Sequence, residues 1–141
     1  VCEALTSMEE CEMVRRVVRM RGDGNCLFRA LSQCDGENHQ AVREKVVRHL
    51  RTHWDSVYQG FVSDEEKRDD YLTTLSRPGV WGDELCLAAY SAVYRCPVRV
   101  YAATAPHALL AHYGATRRGG AVRRVLYNGC HYDSLVAKDA K

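Results

Sequence analysis

Val14, Val17 and Val18 in the stretch Met13–Met20, with few breakers around them, predict a strand near the start of the chain. Arg21-Gly22-Asp23-Gly24-Asn25 then forms a dense turn signal, in which two glycines permit positive φ and Asn25 suits a helix cap. Leu27, Phe28, Ala30 and Leu31 predict a helix over Cys26–Cys34. A second helix is expected from Asn38, because Ala41, Val42, Val46, Leu50 and Trp54 mark one face at helical spacing. Ser63-Asp64-Glu65-Glu66 has the form of a capping box and opens a third helix running to Leu75, stopped by Arg77-Pro78-Gly79. Leu85, Ala88, Ala89, Ala92 and Val93 repeat in the same way over Glu84–Tyr94. Beyond Pro97 the pattern changes to strands at Val98–Ala102, Ala121–Tyr127 and His131–Val136, the last two joined as a hairpin through Asn128-Gly129. Helices mostly first and strands mostly last, with one strand in front, argue an α+β domain rather than a repeating βαβ sheet.

Composition narrows the class. At 141 residues, 46% hydrophobic and 27% charged, the chain is globular rather than disordered or fibrous, and one domain is expected over residues 1–141. No apolar run approaches membrane-spanning length. A start at Val1 without a leader suggests a domain excised from a longer chain. The net charge of +2 does not point to nucleic acid, and the basic run Arg15-Arg16, Arg19, Arg21 has no interleaved aromatic platform. Ile is absent and Arg outnumbers Lys 16 to 4, a skew that fits GC-rich coding and carries no chemistry. The 7 cysteines lack any Cys-x-x-Cys pair, so free thiols in a reducing compartment, most of them core residues, are expected. Cys86, Cys96 and Cys130 have no ligand-spacing motif; neither metal nor cofactor is expected.

The sharpest chemical feature is Asp23-Gly24-Asn25-Cys26-Leu27-Phe28-Arg29-Ala30. A cysteine at the first residue of a helix meets unpaired N–H groups and the positive end of the dipole, which favour the thiolate. The adjoining glycine lets backbone N–H groups approach a reacting carbonyl oxygen. In Asn128-Gly129-Cys130-His131-Tyr132-Asp133 the period of a strand puts His131 and Asp133 on one side, where a carboxylate can orient an imidazole. Cys130 then faces the other way and is expected in the core. Cys, His and acid in that chain order are the parts of a thiol hydrolase that meet only in the fold.

These blocks resemble the OTU (ovarian tumour) cysteine proteases, the deubiquitinase branch of the papain-like superfamily, and Trp81-Gly82-Asp83-Glu84 is similar to the family's Trp-Gly segment. The resemblance implies helices packed on a small, mostly antiparallel central sheet. It implies Cys26 as nucleophile, His131 as general base and acid, and Asp133 as the residue that orients His131. Asp23 matches the position whose backbone N–H helps form the oxyanion hole. Gly24, Asn25, Trp81 and Asn128 are expected to bind substrate. The implied reaction is hydrolysis of the isopeptide bond after the C-terminal Gly-Gly of ubiquitin or a ubiquitin-like modifier. The protein is then a monomer acting on ubiquitin or polyubiquitin in the cytoplasm, the host cytoplasm if the source is a virus, without nucleic acid or membrane.

Two other functions use the same residues: a polyprotein-processing cysteine protease, and a non-catalytic ubiquitin-binding module. The complete Cys-His-Asp set counts against the second. Arg117-Arg118-Gly119-Gly120 resembles the tail such enzymes cut, but between two strands it reads as a turn. The acidic residues Asp64 to Glu66, Asp69 and Asp70 suit the start of a helix or a basic surface of ubiquitin. Trp54 and Trp81 suit core anchors.

Overall fold

The computed structural model describes residues 15–33, 36–58, 60, 65–115 and 121–137. Its elements are β1 (Arg15–Val18), α1 (Cys26–Ser32), α2 (His39–Thr52), a π turn (Trp54–Tyr58), α3 (Glu65–Leu75), α4 (Glu84–Tyr94), β2 (Val98–Ala102), β3 (Leu109–Tyr113), β4 (Arg123–Tyr127) and β5 (Tyr132–Ala137). The five strands form one sheet in the order β1-β5-β4-β2-β3, antiparallel except for β2 beside β4. This is the expected α+β arrangement of helices on a small, mostly antiparallel sheet. The Ser63–Glu66 capping box and the Arg117–Gly120 turn lie outside the described residues. Among the described residues no helix is long and apolar enough to cross a membrane.

The helices begin where their caps dictate. Asn38 Oδ1 accepts from the Gln40 N–H at 2.7 Å, and Asp83 Oδ1 from the Cys86 N–H at 3.3 Å. α4 ends on Arg95 in the left-handed region, with its N–H returned to Ser91 O. The buried stripe of α2 is Val42, Arg43, Val46, Val47 and Leu50, so a guanidinium occupies a place the spacing reserves for an apolar group. Phe28, Leu31, Val46, Leu50, Leu87, Val98 and Val125 share the main core between helices and sheet. Tyr101, Leu126 and Leu135 make a separate small cluster.

Four expectations need correction. β3 was not visible in the pattern, because Leu109 and Leu110 are both exposed and the strand pairs only with β2. His131 precedes β5 instead of opening it. Cys130 is consequently not a core residue: it is exposed in the β4–β5 turn, where the strand's alternation does not apply. Trp54 is a buried anchor as expected, but Trp81 is 52% exposed, standing on a loop with only one side packed.

Candidate active site

The segment Arg21–Asn25 closes on itself before α1 begins. Asp23 Oδ1 accepts from the Asn25 N–H at 3.0 Å, and Oδ2 pairs with Arg29 at 3.2 Å. The Asp23 side chain therefore holds the turn and ties it to the next helical turn. Its backbone N–H donates to Arg21 O at 2.9 Å, turned away from the oxyanion role expected for it. The Cys26 N–H donates to Asp23 O at 3.2 Å. Asn25 precedes α1 yet makes no side-chain cap. Its Oδ1 instead accepts from the Gly79 N–H at 2.8 Å and from Arg43 at 2.9 Å. Gly24 is required sterically, since a Cβ there would stand 1.5 Å from Gly79 O.

Cys26 is fully buried where α1 packs against β5. Burial pushes its thiol above the usual value, and the carboxylates of Asp23 and Asp133 add to the rise. The backbone N–H groups of Tyr132 and Leu27 act the other way and do not offset it. This corrects the expectation from helix position alone: the ligand-free protein favours the thiol, so a base must take its proton. The contact with Tyr132 places the sulfur beside the residue that separates His131 from Asp133.

His131 and Asp133 stand on the β4–β5 hairpin. Tyr127 and Tyr132 are register partners whose rings stack at 4.6 Å, which closes the hairpin just before its turn. Asn128 Oδ1 accepts from the N–H groups of Cys130 at 3.0 Å and His131 at 2.8 Å, an Asx turn that aims His131. His131 Nε2 lies 2.8 Å from Asp133 Oδ1. The same oxygen accepts from the Met20 N–H at 2.7 Å; a carboxylate oxygen only accepts, so Nε2 is the donor of the His131 contact. Trp81, Asp83, Tyr127, Cys130 and Tyr132 line a concavity of about 400 Å³ between the Trp-Gly loop and the hairpin. Gly82 lets that loop press on α1, since a Cβ there would stand 2.6 Å from Leu27 Cδ2. Among the described residues no group of His, Cys, Asp and Glu is placed to hold a metal.

The structure thus brings the start of α1, with Asp23 and Cys26, against the strand that carries Asp133 and its partner His131, while Asn128 shapes the hairpin turn and Trp81 faces it across the concavity. Gly24 and Asn25 are taken up by contacts within the protein. Arg43 escaped sequence reasoning altogether. Its signal was present, a charged residue at position i+1 from Val42 and i−3 from Val46 on the buried stripe of α2.

A cysteine opening a helix against an antiparallel hairpin is the layout of a papain-like cysteine protease fold. The chain belongs to the family of OTU-like cysteine proteases, whose sequence pattern matches residues 21–128. That match contains Cys26 and Trp81 and stops before His131 and Asp133. The chain is 41% identical over 86 residues to OVARIAN TUMOR DOMAIN-containing deubiquitinating enzyme 10 of Arabidopsis thaliana, covering 59% of this chain and 23% of that protein. It is 28% identical over 149 residues to ubiquitin thioesterase otu2 of Schizosaccharomyces pombe, covering 94% of this chain and 48% of that protein. Among solved structures, the viral OTU domain protease from Taggert virus superposes with a TM-score of 0.78 at 21% identity, covering 94% of this chain and 85% of the other. The Hazara virus OTU, solved bound to ubiquitin, gives 0.75 at 20% identity, covering 96% and 87%.

Proposed function

We propose that the chain is a deubiquitinase, which hydrolyses the isopeptide bond after the C-terminal Gly-Gly of ubiquitin or a ubiquitin-like modifier. The observation that carries this reading is the His131–Asp133 contact at 2.8 Å on the hairpin whose Tyr132 N–H meets the Cys26 sulfur. The names of its relatives, deubiquitinating enzyme and ubiquitin thioesterase, supply the substrate class.

In this reading His131 Nδ1 takes the Cys26 proton as the sulfur attacks the carbonyl carbon of the terminal glycine. The carbonyl electron pair moves to oxygen, and backbone N–H groups of the Asp23–Cys26 turn receive the resulting oxyanion. To take part, the Asp23 N–H must leave Arg21 O and the Cys26 N–H must leave Asp23 O. Collapse of the intermediate breaks the C–N bond, and the lysine amine leaves with the proton from Nδ1. Water then attacks the thioester, again losing its proton to His131, and the thiol is regenerated. Asp133 holds the Nε2–H throughout and favours the imidazolium that forms twice per turnover. Free thiols at Cys26, Cys86, Cys96 and Cys130 suit action in the reducing cytoplasm.

Ubiquitin carrying a fluorogenic amide on its terminal glycine tests the assignment. The wild-type chain is expected to release the fluorophore, Cys26→Ala to release none, and Cys130→Ala to keep most of the rate. Activity in Cys26→Ala overturns the nucleophile; an inactive, folded wild type overturns the substrate class.

A further inference from the structure

Arg43 is 0% exposed, and each acceptor it reaches is uncharged. Nη1 donates to Leu75 O at 2.7 Å; Nη2 donates to Val80 O at 2.7 Å, Asn25 Oδ1 at 2.9 Å and Gly24 O at 3.3 Å. The guanidinium carbon lies 4.3 Å from the centre of the Phe28 ring. Burying a cation without a counter-ion is costly, and an apolar side chain would fill this place in α2 more cheaply. What the guanidinium adds is a fork joining three segments: the end of α3, the loop before Trp81, and the turn before Cys26.

We propose that Arg43 is a positioning residue for acyl transfer, fixing the Gly24–Asn25 peptide and with it the turn from which the oxyanion donors are presented. The proposal rests on the deubiquitinase reading above. Arg43 holds the Gly24 carbonyl on one side of a trans peptide, so the Asn25 N–H points to the other side, where Asp23 Oδ1 receives it at 3.0 Å. The plane is pinned at both edges. The next carbonyl, Asn25 O, accepts from the Arg29 N–H at 2.9 Å as α1 begins, and the Cys26 N–H of the same peptide donates back to Asp23 O at 3.2 Å, across the turn that Arg43 holds. Asn25 Oδ1, shared by Arg43 and the Gly79 N–H, locks the same residue from its side chain. The turn whose N–H groups must meet the developing oxyanion is therefore held from the middle of another helix. A lysine has one point of charge and cannot reproduce the fork.

Arg43→Lys is compared with wild type on two probes: ubiquitin with a fluorogenic C-terminal amide, whose cleavage builds an oxyanion, and ubiquitin ending in an alkyne, which adds the Cys26 sulfur across a triple bond and builds none. In the variant kcat is expected to fall about 10²-fold, the loss of one oxyanion donor, with KM within about threefold and alkyne capture slowed less than about fivefold. Circular dichroism and Tm establish that the variant is folded. If it does not fold, Asn25→Ala removes the shared acceptor and is expected to show the same split. An equal fall on both probes, or an unchanged kcat in a folded variant, overturns the role of Arg43 alone. A wild-type chain that neither cleaves nor captures ubiquitin overturns the deubiquitinase reading and this role with it.

Discussion

The turn before Cys26 is closed by groups remote in sequence: Arg43 on Gly24 O and Asn25 Oδ1, and the Gly79 N–H on Asn25 Oδ1. The turn before His131 is closed from within, by Asn128 Oδ1 on the two N–H groups that follow it and by the Tyr127–Tyr132 pair. The first support is tertiary and reaches into the buried Arg43; the second is local, and its turn bonds are exposed. Disturbing the turn before Cys26 should therefore cost stability as well as rate, because Arg43 joins α2, α3 and the Trp-Gly loop there. Disturbing the turn before His131 should cost rate almost alone. In one site, the precise aim of the thiol depends on the whole fold, while the aim of the imidazole depends on one hairpin.

The largest effect is expected at Gly24. A methyl group there meets the Gly79 carbonyl, a backbone atom with no freedom to move aside. Gly24→Ala should lose about 3 kcal/mol of stability, a fall in Tm of roughly 10 °C, together with most of the activity. Thermal unfolding and fluorogenic turnover measured on one preparation check both; normal activity with a normal Tm would show that the two loops are not locked together.

Asp133 comes next, because it adds a contact from outside the hairpin: its Oδ1 serves His131 and also the Met20 N–H from the segment after β1. Asp133→Ala should lower kcat/KM about 10²-fold, the cost of a misdirected imidazole, and Asp133→Asn about tenfold, since the amide oxygen keeps both acceptances. Both losses should stay below that of His131→Ala. A wild-type rate in Asp133→Ala would remove it from the site.

Asn128→Ala is expected to have the smallest effect, a fall in kcat of about threefold to tenfold with Tm within about 2 °C, because the bonds it loses are exposed to water that can replace them. A fall in Tm comparable to that of Gly24→Ala would erase the contrast between a local and a tertiary support.

The hairpin side was legible in the sequence for the same reason that it is local. Asn128-Gly129 marks the turn, and His131 and Asp133 stand two apart, so short-range rules sufficed to pair them. Those rules failed one residue out: His131 precedes β5, and Cys130, read as if on the strand, is exposed. On the other side Cys26 was legible as the first residue of α1, yet its chemistry was not. The helix end favours a thiolate, and burial against Tyr132 outweighs it. Asn25 looked like a cap because short-range patterns favour that use, and a tertiary partner took its oxygen instead. Arg43 and the edge strand β3 were missed for a shared reason: each breaks the apolar pattern of its own element, and only a partner elsewhere in the chain explains it.

We assign the attack on the end of ubiquitin to Cys26, although the more exposed thiol of Cys130 adjoins His131 in sequence. Incubating the wild-type chain with ubiquitin ending in an alkyne, followed by digestion and mass spectrometry, tests this directly. The expected result is one ubiquitin per chain, attached at Cys26 and absent after His131→Ala. Attachment at Cys130, or no attachment by a folded protein, would contradict it.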